Sequence, residues 1–490
     1  YVARRTKGDR EKDKGDMSGY HLIVLAKNYN GYKNLIKLVS NSWVDGYYMR
    51  PRTDRADLEK YHEDLIVCSA WILKGDIAGA REACEWYHNL FGDDYYLELQ
   101  RHKVPDDPSL LANREAYELQ QRANKVLIEF AKEYGIKLVC TNDCHFEDKE
   151  TAEAHDHLLC IATGKDLDDP NRMRYSKQEW FKTREEMNEV FADVPEALSN
   201  TLEVLDKVEI YSIDHGPIMP FFPIPESFGT EEQLRQKVSE EDLYREFTTD
   251  ENGQNQLSPE EGQKVIDRLG GYDKIYRIKF EAEYLRHLAY EGAKKLYGDP
   301  LPENVDEHVN FELHVMKTMG FPGYFLIVSD FIRAAREELG VMVGPGRGSA
   351  AGSVVAYCLG ITKIDPLKYD LLFERFLNPD RVNLPDIDTD FDDDGRGKVL
   401  RWVMNKYGHE TCAHIITYGS MATKNSIKDV ARVEKLPLDK ANALCKAIPD
   451  RLPDGAKMNL ANAIKYTPEL KEAEYSSDPR ESNTIKYARM

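Results

Sequence analysis

The stretch Leu384-Pro385-Asp386-Ile387-Asp388-Thr389-Asp390-Phe391 places an aspartate at every second position. On a β-strand, alternate side chains share a face and lie about 6.5–7 Å apart, so two of these carboxylates can reach shared metal ions. A solvated acidic loop is the alternative interpretation. Ile387 and Phe391, however, require an apolar layer behind them, which a loop does not supply. We therefore predict a strand with a metal-binding face.

A glycine-rich turn lies upstream of these aspartates. The apolar run Val341–Val343 predicts a short strand, Gly344–Ser353 is rich in glycine and serine, and Val354–Leu359 has the composition of a helix start. Glycines permit close backbone approach, and a helix start favours an anion. The alternative is a tight turn that needs small residues for packing. Arg375 and Arg381 follow the turn and suit a polyphosphate, so the combination predicts metal-assisted phosphoryl transfer on a triphosphate.

Four long motifs occur in order along the chain. They are Gly-Phe-Pro-Gly-Tyr-Phe-Leu-Ile-Val from Gly320, Gly-Pro-Gly-Arg-Gly-Ser from Gly344, Asp-Pro-Leu-Lys-Tyr-Asp-Leu-Leu-Phe-Glu-Arg-Phe-Leu-Asn-Pro from Asp365, and Pro-Asp-Ile-Asp-Thr-Asp-Phe from Pro385. The chain closely resembles the alpha subunits of bacterial DNA polymerase III, the C-family replicative polymerases. The resemblance implies a multidomain α/β and α+β fold: a distorted βα barrel, a nucleotidyltransferase-type (polymerase beta-like) palm and a helical thumb.

The same resemblance implies a set of site residues. Asp386 and Asp388 would bind two catalytic Mg²⁺ ions, whereas Asp390 does not carry over as a primary ligand. Gly348 and Ser349 would hold the incoming triphosphate. The arginines expected to contact phosphates are Arg347, Arg375 and Arg381. The implied reaction is attack of a primer 3′ hydroxyl on the alpha phosphorus of a dNTP, in template-directed DNA synthesis.

The N-terminal part alternates predicted strands and helices. His21–Ala26, Asp64–Ser69 and Ile136–Cys140 are apolar runs typical of buried strands, and Ala116–Tyr134 has helical apolar spacing. This alternation indicates βα units. Polar residues at the carboxyl end of a barrel strand are commonly functional, which draws attention to Thr141–His145. From spacing alone, a structural loop histidine is the favoured interpretation there.

This region resembles the polymerase and histidinol phosphatase (PHP) domain, a distorted seven-stranded barrel. His21, Asp143 and His145 match ligand positions of its metal cluster, which would take Zn²⁺ or Mn²⁺. The family's opening histidine pair is absent, and Trp71 stands at or near the position of a ligand that is often cysteine. Indole N–H cannot bind a metal cation, and Cys68 is a poor substitute because it lies within a predicted strand. We expect a degraded or empty PHP metal site.

The predicted domains are a PHP domain at 1–225, a palm with a helical insertion at 226–417 and an incomplete thumb at 418–490. The proline-rich stretch His215–Pro225 predicts an extended linker. The predicted helical insertion, Thr230–Tyr297, has a polar break at Thr248–Ser258. The chain starts at Tyr1, and a third catalytic aspartate and a fingers domain are expected beyond Met490. We therefore expect a fragment that is inactive when isolated.

Composition restricts the function classes. The 490 residues carry a net charge of −20, which argues against binding nucleic acid through overall charge. Gly395–Val433 nevertheless holds seven basic and two acidic residues, a net +5 (7 − 2), which suits contacts with a phosphate backbone. Eight cysteines without paired metal spacing and the lack of a long apolar run indicate a reducing, bacterial cytoplasmic location and no membrane.

Two other functions stay open from the sequence. The chain can be a non-catalytic core that binds DNA or nucleotides, or its PHP part can be a metal-dependent phosphoesterase. The expected partners of the polymerase are primer-template DNA and dNTPs. By resemblance, protein partners would be a proofreading exonuclease subunit, a sliding clamp and the clamp-loader tau subunit.

Overall fold

The computed structural model describes residues 1–12, 17, 19–70, 77–104, 111–214, 218, 220–250, 253–254, 257–378 and 385–490. These residues form two compact units. The first unit combines Tyr1–Ile213 with Tyr418–Met490, and the second unit is Asp214–Thr417. None of the described helices combines the length and the apolar composition that crossing a bilayer requires.

The first unit contains a four-stranded sheet. Its strands are β1 Ile23–Ala26, β2 Leu65–Cys68, β3 Tyr95–Gln100 and β4 Lys137–Thr141, in the order β1-β2-β3-β4. β1 pairs with β2 in antiparallel fashion, and the other two pairings are parallel. β1, β2 and β4 confirm the predicted strands, but the predicted burial is wrong for β1, whose Ile23 and Leu25 are exposed; β3 was not predicted. The described residues show one four-stranded sheet, so the seven-stranded barrel stays a prediction.

Helices cover the sheet and connect its strands. They are α1 Tyr29–Val44, α2 Arg55–Lys60, α3 Ile77–Phe91, α4 Leu111–Tyr134, α5 Ala152–Thr163, α6 Arg184–Val190 and α7 Pro195–Asp206. Because side chains alternate along β3, Tyr95, Leu97 and Leu99 enter the main core, while Tyr96 packs in a smaller cluster. The sheet is therefore apolar on two faces, as parallel sheets usually are.

The second unit is helical in the part that the structure describes. Its helices are α8 Glu231–Lys237, α9 Glu240–Thr248, α10 Pro259–Arg268, α11 Tyr272–Tyr297, α12 Glu303–Thr318, α13 Pro322–Glu337, α14 Val354–Cys358 and α15 Asp393–Tyr407. The predicted helical stretch Thr230–Tyr297 is confirmed, and its polar break falls between α9 and α10. α11, α12, α13 and α14 enclose the largest apolar core among the described residues.

The last residues return to the first unit as five helices. They are α16 Thr423–Val433, α17 Leu438–Ala447, α18 Leu460–Tyr466, α19 Pro468–Glu474 and α20 Pro479–Arg489. His157 on α5 lies 2.6 Å from Glu434 and stacks on Tyr487 at a ring distance of 4.3 Å. Lys435 donates to Asp168 at 2.8 Å. The C-terminal helices are thus attached to the N-terminal unit by buried and charged contacts.

The core of the second unit sets a stability prediction. Phe325 is fully buried and meets the ring of Phe376 edge-on at 5.9 Å. We expect Phe325→Ala to lower the free energy of unfolding of this unit by about 3–5 kcal/mol, because it leaves a cavity in a packed core. Phe181, which is 77% exposed, is the matched control, and its replacement by Ala should change stability by less than about 0.5 kcal/mol. Denaturant unfolding of the two variants checks this, and similar losses would contradict the assigned core.

Candidate functional site

The acidic segment and the glycine-rich segment run side by side in the second unit. Gly344 donates its backbone N–H to the carbonyl of Asp390 at 2.9 Å, and Val343 forms an isolated antiparallel bridge with Phe391. The two strands predicted here are therefore reduced to one bridge. The reason is local, because the Asp392 side chain takes the amide of Met342 at 2.8 Å and also caps the start of α15.

The aspartates and their apolar neighbours alternate as the sequence indicates. Ile387 packs against the core of the second unit, whereas Asp386 is exposed and Asp388 is half-exposed. The Ile387 amide donates to the hydroxyl of Tyr324 at 3.3 Å. Burial raises the pKa of Tyr324, and the negative charges of Asp386 and Asp388 raise it further. Both carboxylates therefore lie near one tyrosine hydroxyl, a contact that the sequence did not reveal.

The glycine-rich loop contacts the acidic segment directly. Gly348 has φ of +74°, and a Cβ atom there would lie 3.2 Å from Asp388 Oδ2. Arg347 places one guanidinium nitrogen 3.1 Å from Asp388 and another 3.2 Å from Asp390. These ion pairs are exposed to solvent and are correspondingly weak. Arg347 thus compensates the charge of these two carboxylates.

The start of helix α14 does not offer the open anion site that the sequence suggested. Its first amides, on Val354 and Val355, donate to the Glu312 carboxylate at 2.8 and 2.9 Å, and Ser353 caps the next amide. Glu312 is 1% exposed. A side chain of the protein already satisfies this helix start, so its first amides are not open to a phosphate. Sequence analysis missed Glu312, because a lone glutamate in a helix carries no signal of burial.

The remaining predicted phosphate contacts are placed only in part. Ser349 begins a 3₁₀ turn, Ser349–Gly352, directly after Gly348. Arg375 is exposed at the end of another 3₁₀ turn, Phe373–Arg375. Arg381 lies outside the described residues. The structure therefore brings Asp388, Arg347 and Gly348 into contact, and Ser349 is adjacent in the chain.

Part of the charge of the basic run Gly395–Val433 is neutralised by ion pairs within the chain. Lys406 lies 2.5 Å from the buried Asp330, Lys424 lies 3.3 Å from Asp450, and Arg432 lies 3.8 Å from Asp166. Three of the seven basic residues thus have acidic partners outside the run. The net charge counted along the sequence overstates the charge available for phosphates.

The residues near the aspartates suit a hard cation. Mg²⁺ is commonly held by one or two carboxylates, water and the phosphates of the substrate, rather than by a full cage of protein ligands. Asp386 and Asp388 provide such carboxylates. Among the residues that the structure describes, no three histidine, cysteine or acidic side chains converge on a common metal position. A cation here would depend on substrate oxygens for the rest of its coordination.

The first unit has a cavity of about 550 Å³ at the strand ends, where the predicted PHP ligands lie, and we call it the PHP cavity. His21, Asp143 and His145 all line it. Sequence analysis missed another residue that lines the cavity, Glu98 on β3, which is 5% exposed. Its Oε2 atom is buried and has no hydrogen-bond partner among the described residues. Glu98 Oε1 accepts hydrogen bonds from Gln100 and Thr141.

The described residues of this cavity do not fit a complete metal site. One ring nitrogen of His145 contacts the Asp143 carbonyl at 2.6 Å and the other contacts the Tyr175 hydroxyl at 3.0 Å. Burial, followed by the charge of Glu98, raises the pKa of Cys68 to about 12, which disfavours the thiolate that binds metals. Trp71, the predicted departure from the family pattern, lies outside the described residues.

Two family models and several curated proteins match this chain. Residues 283–490 match the family model described as the bacterial DNA polymerase III alpha NTPase domain, and residues 2–102 match the PHP domain. The chain is 40% identical over 474 residues to DNA polymerase III subunit alpha of Borreliella burgdorferi, across 95% of the chain and 35% of that relative. It is 39% identical over 516 residues to the Thermus aquaticus protein of the same name, across 100% of the chain and 40% of that relative.

The chain belongs to the family of bacterial DNA polymerase III alpha subunits. It spans 35% and 40% of the length of the two curated relatives named above. The polymerase family model covers the glycine-rich loop and the aspartates, whereas the PHP model covers His21 and Glu98 and ends before Asp143.

The geometry of the PHP cavity predicts weak metal binding. After dialysis against zinc or manganese and removal of free metal, we expect elemental analysis to find less than one ion per chain. His145→Ala should not change that content, because both ring nitrogens of His145 already have partners. A stoichiometric ion that is lost in this variant would contradict the prediction.

Proposed function

We propose that this chain carries the nucleotide-binding and metal-binding part of a template-directed DNA polymerase of bacterial replication. The observation that supports this most is the contact of Gly348 with Asp388, which places a glycine-rich loop against an aspartate pair. Both lie within the residues matched by the polymerase family model. The curated relatives carry the name DNA polymerase III subunit alpha.

The proposed reaction is nucleotidyl transfer from a dNTP to a primer 3′ hydroxyl, with release of pyrophosphate. Bound Mg²⁺ ions would partly neutralise the charge of the triphosphate and would lower the pKa of the attacking hydroxyl. Asp386 and Asp388 would hold these ions. The backbone at Gly348 and Ser349 would position the triphosphate, with Arg347 compensating its negative charge. Arg375 and Arg381 are proposed as further phosphate contacts.

The proposed domain roles follow the same family. Residues 1–225 would form the PHP barrel, 226–417 the palm and 418–490 the thumb that holds the primer-template duplex. Proposed protein partners are a proofreading exonuclease, a sliding clamp and the tau subunit of the clamp loader. The proposed location is the bacterial cytoplasm. We propose no phosphoesterase step in the PHP cavity, because its described residues do not assemble a metal site.

Removal of one aspartate charge tests the metal role. In the full-length gene product, we expect Asp388→Asn to lower nucleotide incorporation at saturating dNTP and Mg²⁺ by at least about 100-fold, because a catalytic cation supplies several kcal/mol of transition-state stabilisation. The exposed Asp393, in the first turn of α15, provides the matched control, and Asp393→Asn should retain most activity. Near-normal primer extension by a folded Asp388→Asn variant would overturn the metal assignment.

A bulky residue in the loop tests the triphosphate role. Gly348→Val should raise the dNTP concentration required for half-maximal extension by about tenfold or more, while the affinity for primer-template DNA changes little. The branched side chain would both strain the backbone and block approach to the loop. Gly340 has φ of +62° and open space at its Cβ position, so Gly340→Val reproduces the strain without the blockage. Equal effects in the two variants, or equal losses of dNTP and DNA binding, would indicate a purely structural turn.

A further inference from the structure

Glu312 makes three hydrogen bonds at the end of the glycine-rich loop. One carboxylate oxygen accepts from the Val354 amide at 2.8 Å. The other accepts from the Val355 amide at 2.9 Å and from the Ser353 hydroxyl at 2.6 Å. The Ser353 hydroxyl oxygen in turn accepts from the Ala356 amide at 3.0 Å. One carboxylate and one hydroxyl therefore satisfy every amide of the first turn of α14 from Val354 to Ala356.

The environment of Glu312 makes this arrangement demanding. The residue projects from α12 into the largest apolar core, and burial raises the pKa of its carboxyl to about 7. The hydrogen bonds oppose this rise, and the charge of Glu374 adds to it. Among the described residues, the Cys358 thiol on α14 also faces it. A buried charge without sufficient donors is strongly unfavourable, so the three donors must remain in place for the carboxylate to stay ionised.

The loop that Glu312 holds is fixed at both ends. At its start, the Gly344 amide bonds to Asp390 at 2.9 Å. At its end, the turn Ser349–Gly352 packs so closely that a Cβ at Gly352 would lie 2.7 Å from the Leu372 carbonyl oxygen. Ser353, which Glu312 binds, follows this turn immediately. A shift of the α14 start would therefore move the turn that carries Ser349.

We propose that Glu312 is a positioning residue, whose carboxylate fixes the glycine-rich loop Gly344–Ser353 in the place that a triphosphate beside Asp388 requires. The proposal rests on the proposed nucleotide role of this loop. Glu312 does not touch the substrate. It acts through the backbone amides of Val354 and Val355, which its carboxylate keeps hydrogen-bonded.

Two results follow for the variant Glu312→Gln. Its side-chain amide would present N–H groups to a backbone or hydroxyl donor, so at least one buried donor would lose its acceptor. We expect the KM for dNTP to rise about tenfold with a smaller change in kcat, and hydrogen exchange at Val354 and Val355 to accelerate about tenfold or more.

The pH profile separates positioning from general destabilisation. The neutral carboxyl is the weaker acceptor and is the dominant form below pH about 7, so the wild-type KM for dNTP should rise as the pH falls from 8 to 6. Glu312→Gln should lack this component, because glutamine does not titrate.

The matched control is Glu281, a second buried glutamate of the same unit. It is 3% exposed, burial raises its pKa to about 7, and it accepts from the Phe222 amide at 2.9 Å and from Arg277 at 3.2 Å, away from the loop. Glu281→Gln should leave the KM, its pH component and the exchange at Val354 and Val355 close to those of the wild type.

The measurements are primer extension against dNTP concentration from pH 6 to pH 8, and hydrogen exchange by mass spectrometry, on the full-length gene product. Equal behaviour of Glu312→Gln and Glu281→Gln would overturn the positioning role.

A wild type that exchanges slowly at Val354 but incorporates no nucleotide would instead overturn the proposed function. If Glu312→Gln does not fold, Ser353→Ala decides. Loss of the Ser353 hydroxyl donor should raise the pH at which the KM for dNTP begins to increase, and an unchanged pH dependence would overturn the proposal.

Discussion

The close approach of Gly348 to Asp388 is the constraint on which the candidate site depends. With φ of +74° and only 3.2 Å between its Cβ position and a carboxylate oxygen, position 348 suits glycine. The neighbouring hydrogen bond from the Gly344 amide to the Asp390 carbonyl keeps the two segments side by side in antiparallel orientation. A triphosphate that lies on the loop backbone is therefore also within reach of cations on the aspartates, which no separate turn or acidic loop would provide.

The second unit uses buried acids to hold the elements that carry this contact. Glu281, Glu312 and Asp330 are all at most 8% exposed. Asp330, on α13, accepts from Lys406 at 2.5 Å and from the Tyr407 hydroxyl at 2.7 Å, which ties α13 to the end of α15. Burial of each of these acids costs desolvation free energy, and only the hydrogen bonds and ion pairs from its donors offset that cost. The helices on either side of the acidic segment are therefore fixed by polar contacts as well as by apolar packing.

The sequence predicted the positions of the strands better than the way in which they pair. The apolar runs that end at Ala26, Cys68 and Cys140 all form strands. β2 and most of β4 are buried, and continuous burial leaves a direct signal in composition, whereas Ile23 and Leu25 of β1 are exposed. β3 was missed, since Glu98 and Gln100 interrupt its apolar pattern, yet both are buried beside the PHP cavity. The antiparallel pairing of β1 leaves no local signal at all.

The candidate site shows the same division. Alternation placed Ile387 inward and the aspartates outward, and the glycine-rich turn was located correctly next to them. The strand predicted at Val341–Val343 did not form, because the Asp392 side chain takes the amide that a neighbouring strand would need. Glu312 and Tyr324 could not be found from local sequence, because their contacts join residues 41 to 43 and 63 positions apart.

The ion pairs of Arg347 bear on the proposed reaction. Its guanidinium lies 3.1 Å from Asp388 and 3.2 Å from Asp390, and all three side chains are at least 38% exposed. Exposed ion pairs of this kind are worth at most about 1 kcal/mol, so they are readily exchanged. A divalent cation on Asp388 would replace the guanidinium as the counter-ion of the carboxylate, and the phosphates that accompany the cation would offer the arginine new acceptors. The resting pairs therefore reduce repulsion between the carboxylates without blocking the arrival of a metal-bound nucleotide.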